Sequence, residues 1–352
     1  MKILYGVPGE GMGHATRAKV IIEHLIKNHE LRIVSSDRAY LFLKKAFPKE
    51  THEIKGFHFG FKDGEISKYR TFTLNLKNAP ENLIVNFKKY KEIHESFKPD
   101  IIISDFESFS YFFAKQHRLP IISIDNMQVI DRAKLDIAIP DDEKNNYWVA
   151  KNVIQAKVPF SNRYLISSFF DVTIKKKDTA LVPPIIRNEI LNSKSSIENH
   201  ILVYQSSYGK NGILELLKSM KHEKFYLYGF NKEEDHGNVQ MKKFSEEEFI
   251  NYFRTAKAVI ANGGYSFISE AVYLKKPICA IPIPSQFEQY VNAAYVEKME
   301  FGRMFSTLNA DGIKAFLYDL DAFQEKINNY NQTDNNVLFA AIDKALQECT
   351  NL

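Results

Sequence analysis

Gly6-Val7-Pro8-Gly9-Glu10-Gly11-Met12-Gly13-His14-Ala15-Thr16-Arg17 joins the first apolar run of the chain to its first helical pattern. Glycines at such a junction permit positive φ and close backbone approach. The helix start behind them offers unpaired N–H groups and a dipole that favours phosphate. Gly9, Glu10, Gly11, Gly13 and Arg17 are therefore candidates for an acceptor or phosphate loop. His14 falls just inside the helix, where the dipole disfavours a positive imidazole and suits it to act as a neutral base. Asp105 follows the apolar run Asp100-Ile-Ile-Ile-Ser104, at the strand end where α/β folds gather ligands, and a carboxylate there can orient His14 and stabilise its protonated form. The bland reading of the same residues is that His14 touches only phosphate or main chain and that Asp105 caps the following helix. No Gly-Lys-Ser/Thr closes the loop, and its glycines miss the G-x-G-x-x-G spacing by one, so neither a P-loop nor a dinucleotide fingerprint is present. Asp37 stands where a dehydrogenase keeps its ribose acid, a place that turn and cap residues also fill.

A second set of candidates lies in the other half of the chain. Asn262-Gly263-Gly264-Tyr265-Ser266 is a glycine turn entering a helix, and its backbone N–H groups can hold a diphosphate. Glu270, about one turn in, is placed for a bidentate contact to a ribose diol, or else is a solvated helix acid. Pro282 to Ala293 leaves an apolar run through a proline turn, and Glu288 with Gln289 at the next helix start can accept from and donate to sugar hydroxyls. Ser206, in Ser206-Ser207-Tyr208-Gly209 after another apolar run, is a further candidate for a phosphate contact. Asp319-Leu320-Asp321 matches a D-x-D metal motif superficially, without a sugar-binding context around it, and no metal site is expected.

These residues need elements to hold them. Lys2 to Gly6, Leu31 to Ser35, Asp100 to Ser104 and Pro120 to Ile124 are continuous apolar runs separated by helical patterns such as Ala15 to Asn28 and Glu81 to Phe97. Continuous rather than alternating apolar strands indicate a parallel sheet covered on both faces. The rhythm restarts with His200 to Gln205, Lys224 to Gly229, Ala258 to Ala261 and Pro277 to Pro282, after a Lys-rich, Pro-containing passage from Lys175 to Pro184 that reads as a connection. The expected division is a first α/β domain over 1–172, a second over 173–335, and a helix over 336–352 packing back on the first.

The chain has 352 residues, 45% hydrophobic and 26% charged, with a net charge of +4. That length supports two cores and no apolar run can span a bilayer. The first residues carry no secretory pattern, and Cys279 and Cys349 offer neither a disulfide framework nor a metal spacing, so a cytoplasmic address is expected. The mild positive charge does not call for nucleic acid. Lys62, Lys68 and Arg70 lie among Phe57, Phe59, Phe61, Tyr69 and Phe72, followed by Phe87 to Lys91, a mixture that can lie on an anionic membrane surface or simply be solvated.

Taken in order, Gly-Glu-Gly-Met-Gly-His, Asn262 to Glu270 and Pro282 to Ala293 resemble the signature of the GT-B glycosyltransferase superfamily, nearest to its MurG-like and UDP-glycosyltransferase branches. The resemblance implies an α/β fold of two facing, doubly wound Rossmann-like domains with a cleft between them. It implies inverting, metal-independent transfer of a hexosyl or N-acetylhexosaminyl group from a UDP-sugar, a co-substrate rather than a cofactor, to a glycan or lipid-linked acceptor of the cell envelope. On this resemblance Glu270 holds the ribose, Glu288 and Gln289 the donor sugar, Gly263 to Ser266 the diphosphate and the backbone around Phe244 the base, with His14 and Asp105 as catalytic base and partner. Asn262 replaces a histidine found in many relatives and supplies no positive charge. A nucleotide-sugar 2-epimerase or hydrolase, and a catalytically silent nucleotide-sugar binder, need the same pocket.

Overall fold

A computed structural model describes residues 1–9, 11–56, 84–205 and 212–350, with backbone alone at 61–62 and 65–66. The first sheet takes seven parallel strands: β1 (Lys2–Val7), β2 (Glu30–Ser35), β3 (Thr51–Glu53), β4 (Ile101–Ser104), β5 (Ile121–Asp125), β6 (Arg163–Ser167) and β7 (Thr179–Val182), in the order β7-β6-β5-β4-β1-β2-β3. The second takes seven more: β8 (Ile201–Tyr204), β9 (Phe225–Tyr228), β10 (Glu234–Asp235), β11 (Val239–Met241), β12 (Ala258–Ala261), β13 (Ile278–Ala280) and β14 (Gly302–Met304). Their order is β10-β11-β9-β8-β12-β13-β14, parallel except for β10 at the edge. Both sheets are doubly wound, and each reverses direction beside its first strand, between β1 and β4 and between β8 and β12.

The continuous apolar runs are explained by burial on both faces. Ile101 and Ile103 enter one core with Ile21, Ile22 and Leu25 of the helix Met12–Leu25, while Ile102 enters another with Phe113 of the helix Ser108–His117. The same division recurs in the second sheet, where Ile201 and Val203 face away from Leu202.

The passage expected to connect the halves is partly a strand. Thr179–Val182 pairs in register with Tyr164 to Ser167, so the first sheet extends past 172 and the chain leaves it only after Val182. β7 is short, polar at its start and preceded by lysines, which hid it. β3, β6, β11 and β14 were also absent from the apolar runs, being short or broken by polar residues.

The last helix, Asn336–Thr350, buries Leu338, Ile342, Ala345 and Leu346 in the core of the first sheet, so the chain crosses between the halves twice. The crossings lie side by side. Asn335, 2% exposed, accepts from the Ile186 N–H at 3.1 Å and donates to its carbonyl at 2.7 Å, and Gln332 donates to the Pro184 carbonyl at 2.8 Å. Away from them, Phe170 of the first half stacks on Tyr295 of the second, with centroids 3.6 Å apart.

Candidate active site in the cleft

The two loops picked out by their glycines meet where the two switch points face each other. Asp105, directly after β4, donates its N–H to the carbonyl of Gly6 at 2.9 Å, which ties it to the mouth of the first loop. Gly11, at φ 89°, precedes the helix Met12–Leu25, a conformation that favours glycine. One turn of helix then sets His14 Nδ1 3.1 Å from Asp105 Oδ1. The two residues argued from sheet-edge logic are thus side by side.

Arg17, one turn further, is engaged by buried partners within the first half. Its guanidinium folds back under the loop and is 4% exposed. Nε donates to Asp105 Oδ2 at 2.9 Å, Nη2 donates to Asp105 Oδ1, and Nη1 donates to Asn126 Oδ1 at 2.6 Å. Burial pushes the Asp105 carboxyl up, but the Arg17 charge and His14 outweigh it and hold the group at about 2. Burial pulls on Arg17 in turn, and Asp105 more than reverses it, so the guanidinium stays charged. Next to them Asp125 ends β5 with a fully buried carboxyl. Burial, then the charge of Asp105, pushes it up to about 6 against the donations of the Gln128 N–H and the Ser123 hydroxyl, both at 2.9 Å.

Three hydrogen bonds cross the cleft here. Ser266 Oγ donates to the Gly13 carbonyl at 3.3 Å, Asn126 Nδ2 donates to Glu288 Oε1 at 2.7 Å, and the Tyr265 and Ser167 hydroxyls lie 2.7 Å apart. The start of the helix Tyr265–Tyr273, with its unpaired N–H groups, therefore faces the first loop. Gly263 is required where it stands, because a Cβ there would lie 2.3 Å from the Gln289 carbonyl. Asn292 donates to the Gly263 carbonyl at 2.9 Å and Asn262 to that of Ile281 at 3.1 Å, fixing the turn.

The remaining donor-site candidates are engaged within the chain. Both oxygens of Glu270 accept a fork from Arg187, at 2.6 and 2.7 Å, and Arg187 also reaches Glu246 at 3.2 Å. Gln289 accepts from the Ile283 N–H at 3.0 Å and donates to Gln286 at 2.6 Å. Phe244 is 62% exposed beside Phe249. Gly9 packs close to Ser36 and Asp37. Asp319 of the D-x-D sequence pairs with Arg303. Glu10 and Ser206, with most of the basic-aromatic stretch, lie outside the described residues.

Two residues of this site were not singled out from sequence. The argument that found Asp105 applies equally to Asn126, since it follows the neighbouring strand. Arg187 sits in the crossing between the halves and gave no signal.

Two facing, doubly wound sheets with glycine loops meeting across the cleft define the GT-B architecture of glycosyltransferases. The chain belongs to glycosyl transferase family 1, whose family model matches residues 1–321. It is 23% identical over 340 residues to an uncharacterized glycosyltransferase of Methanosarcina acetivorans, covering 87% of this chain and 86% of that protein. It is likewise 23% identical over 337 residues to the Pelagibacter ubique UDP-N-acetylglucosamine–N-acetylmuramyl-(pentapeptide) pyrophosphoryl-undecaprenol N-acetylglucosamine transferase, covering 88% and 86%. Among solved structures, the glycotransferase of kitacinnamycin superposes with a TM-score of 0.66 at 14% identity over 98% of each chain. Phytolacca americana UGT2, complexed with UDP-2fluoro-glucose and pterostilbene, superposes with 0.66 at 11% identity over 98% of this chain and 100% of the other. These two show the fold.

Proposed function

We propose that this glycosyltransferase moves a hexosyl or N-acetylhexosaminyl group from a UDP-sugar to an acceptor hydroxyl by a single inverting displacement without a metal. The observation that carries the proposal is the junction of loops: the His14–Asp105 contact of 3.1 Å lies on the helix whose Gly13 carbonyl accepts from Ser266, at the start of the facing helix. A base and an anion site so arranged bracket one reaction centre. His14 Nε2 takes the acceptor proton as the acceptor oxygen bonds to the sugar C1, and the C1–O bond breaks with its electron pair leaving on the diphosphate. Asp105 then accepts from Nδ1–H of the imidazolium. Gly263 to Ser266 hold the diphosphate, Glu270 the ribose, Glu288 and Gln289 the sugar, Ser206 a phosphate oxygen, and the backbone around Phe244 the base. Glu270 must exchange Arg187 for the ribose diol. The first half receives the acceptor, a glycan or lipid-linked hydroxyl of the cell envelope, reached from an anionic membrane surface on the cytoplasmic side. The donor class is supported by the UDP-N-acetylglucosamine named for the Pelagibacter relative.

Calorimetry with UDP, GDP, dTDP, CDP and NAD, each with magnesium and with EDTA, tests the donor. Selective UDP binding that survives EDTA is expected, and NAD binding or no nucleotide binding would overturn the assignment. His14→Ala is expected to abolish transfer, at least 100-fold on the scale of a lost general base, with UDP affinity unchanged. A fully active variant removes His14 from the chemistry.

A further inference from the structure

His14 Nδ1 lies 2.7 Å from Arg17 Nη2 as well as 3.1 Å from Asp105 Oδ1. These two contacts make opposite demands. A neutral imidazole carries one proton, so Nδ1 either donates to Asp105 or accepts from a donor. Arg17 has only donors and does not lose its charge in proteins, so Nη2 can satisfy Nδ1 only if Nδ1 is bare. One Nη2 proton is directed to Asp105 Oδ1, which leaves the second for His14. With a proton on Nδ1 instead, two N–H groups would confront each other at the shorter of the two distances.

We propose that Arg17 is a positioning residue that sets the tautomer of His14, holding Nδ1 as an acceptor and the proton on Nε2, so that His14 becomes a base only when Nε2 gives its proton to solvent in the cleft and Nδ1, passing from Arg17 to Asp105, takes one from solvent. Among the described residues Nε2 has no hydrogen-bond partner, and in this arrangement it meets the cleft as a donor. The guanidinium is not isolated. Asp105 and Asp125 lie beside it, and its Nη1 holds Asn126, whose amide holds Glu288 across the cleft. His14, Arg17, Asn126 and Glu288 thus form one hydrogen-bonded chain from the imidazole to the carboxylate assigned to the donor sugar. A sugar that takes Glu288 removes the outer end of that chain, which is the event that allows the guanidinium to release Nδ1.

The catalytic meaning of this rests on the function proposed above, whereas the tautomer itself can be measured independently of it. In protein carrying ¹⁵N-labelled histidine, at about pH 9 where imidazoles are neutral, His14 signals are identified among those of the 10 histidines by their loss in His14→Gln. The expected result is a bare, acceptor-type Nδ1 and a protonated Nε2 in the native protein, and the reverse in Arg17→Met. A native His14 protonated on Nδ1 overturns the proposal, as does a folded Arg17→Met variant whose proton stays on Nε2. If Arg17→Met does not fold, the native spectrum alone decides. A His14→Gln variant that retains transfer defeats the base assignment and leaves the tautomer result standing.

Discussion

Asp105 and Asp125 end adjacent strands of one sheet, yet their carboxyls are pushed in opposite directions, to about 2 and about 6. The difference lies in the partners each one meets: Asp105 has both oxygens in the Arg17 fork, whereas Asp125 is fully buried and lies near a charge of its own sign. The consequences for stability have opposite signs. Asp105 stabilises the fold above the ordinary carboxylate range, and that contribution is lost as pH falls from about 4 towards about 2. Asp125 keeps its proton in the folded state when the unfolded chain has given its own up, so stability falls as pH rises from about 4 to about 6. Asp125→Asn is expected to flatten that fall, which amounts to on the order of 2 to 3 kcal/mol. Urea midpoints measured across this pH window check it, and an unchanged slope would show that Asp125 ionises freely. His14 and Asp105 were legible because strand ends and a helix start fix where their backbones lie. The partners of Arg17 were not legible, because the direction of a long side chain depends on which buried charge it can neutralise, and its sequence position is silent on that.

The elements that carry the second loop depend on one close approach. Gly263 runs against the first turn of the helix Phe287–Lys298, so Gly263→Ala should lower stability by about 1 to 3 kcal/mol. Thermal denaturation reads this directly. A mild result would mean that the helix can retreat from the turn. The helix Tyr265–Tyr273 supplies Glu270, and Glu270→Ala is expected to weaken UDP binding at least 10-fold, whereas unchanged affinity in calorimetry would end the ribose assignment. The sequence pattern exposed both glycine turns and their helices because each couples a permissive residue to an apolar run. It did not expose the Arg187 fork, since that contact is made between residues 83 positions apart, from a crossing with no periodic pattern.

At the scale of the whole chain, the paired rhythm of apolar runs was sufficient to read two doubly wound domains. The extent of the first sheet was not, because β7 has too few apolar residues to stand out from its lysines. Among the described residues no helix is long and apolar enough to cross a membrane. The clasp that joins the two crossings, by contrast, has no sequence signature, since Asn335 acts through the main chain of Ile186. Asn335→Ala should speed amide exchange at Ile186 by about 5- to 10-fold, as expected for a lost buried hydrogen bond of about 1 kcal/mol, and exchange at the native rate would show that the crossing is held by other contacts. The clasp has a mechanical meaning. Two strands of chain that passed between the halves at separate points would act as two pivots and resist rotation. Fastened together at Ile186 and Asn335, the two connections share one line, the only line about which one half could rotate against the other without stretching either connection.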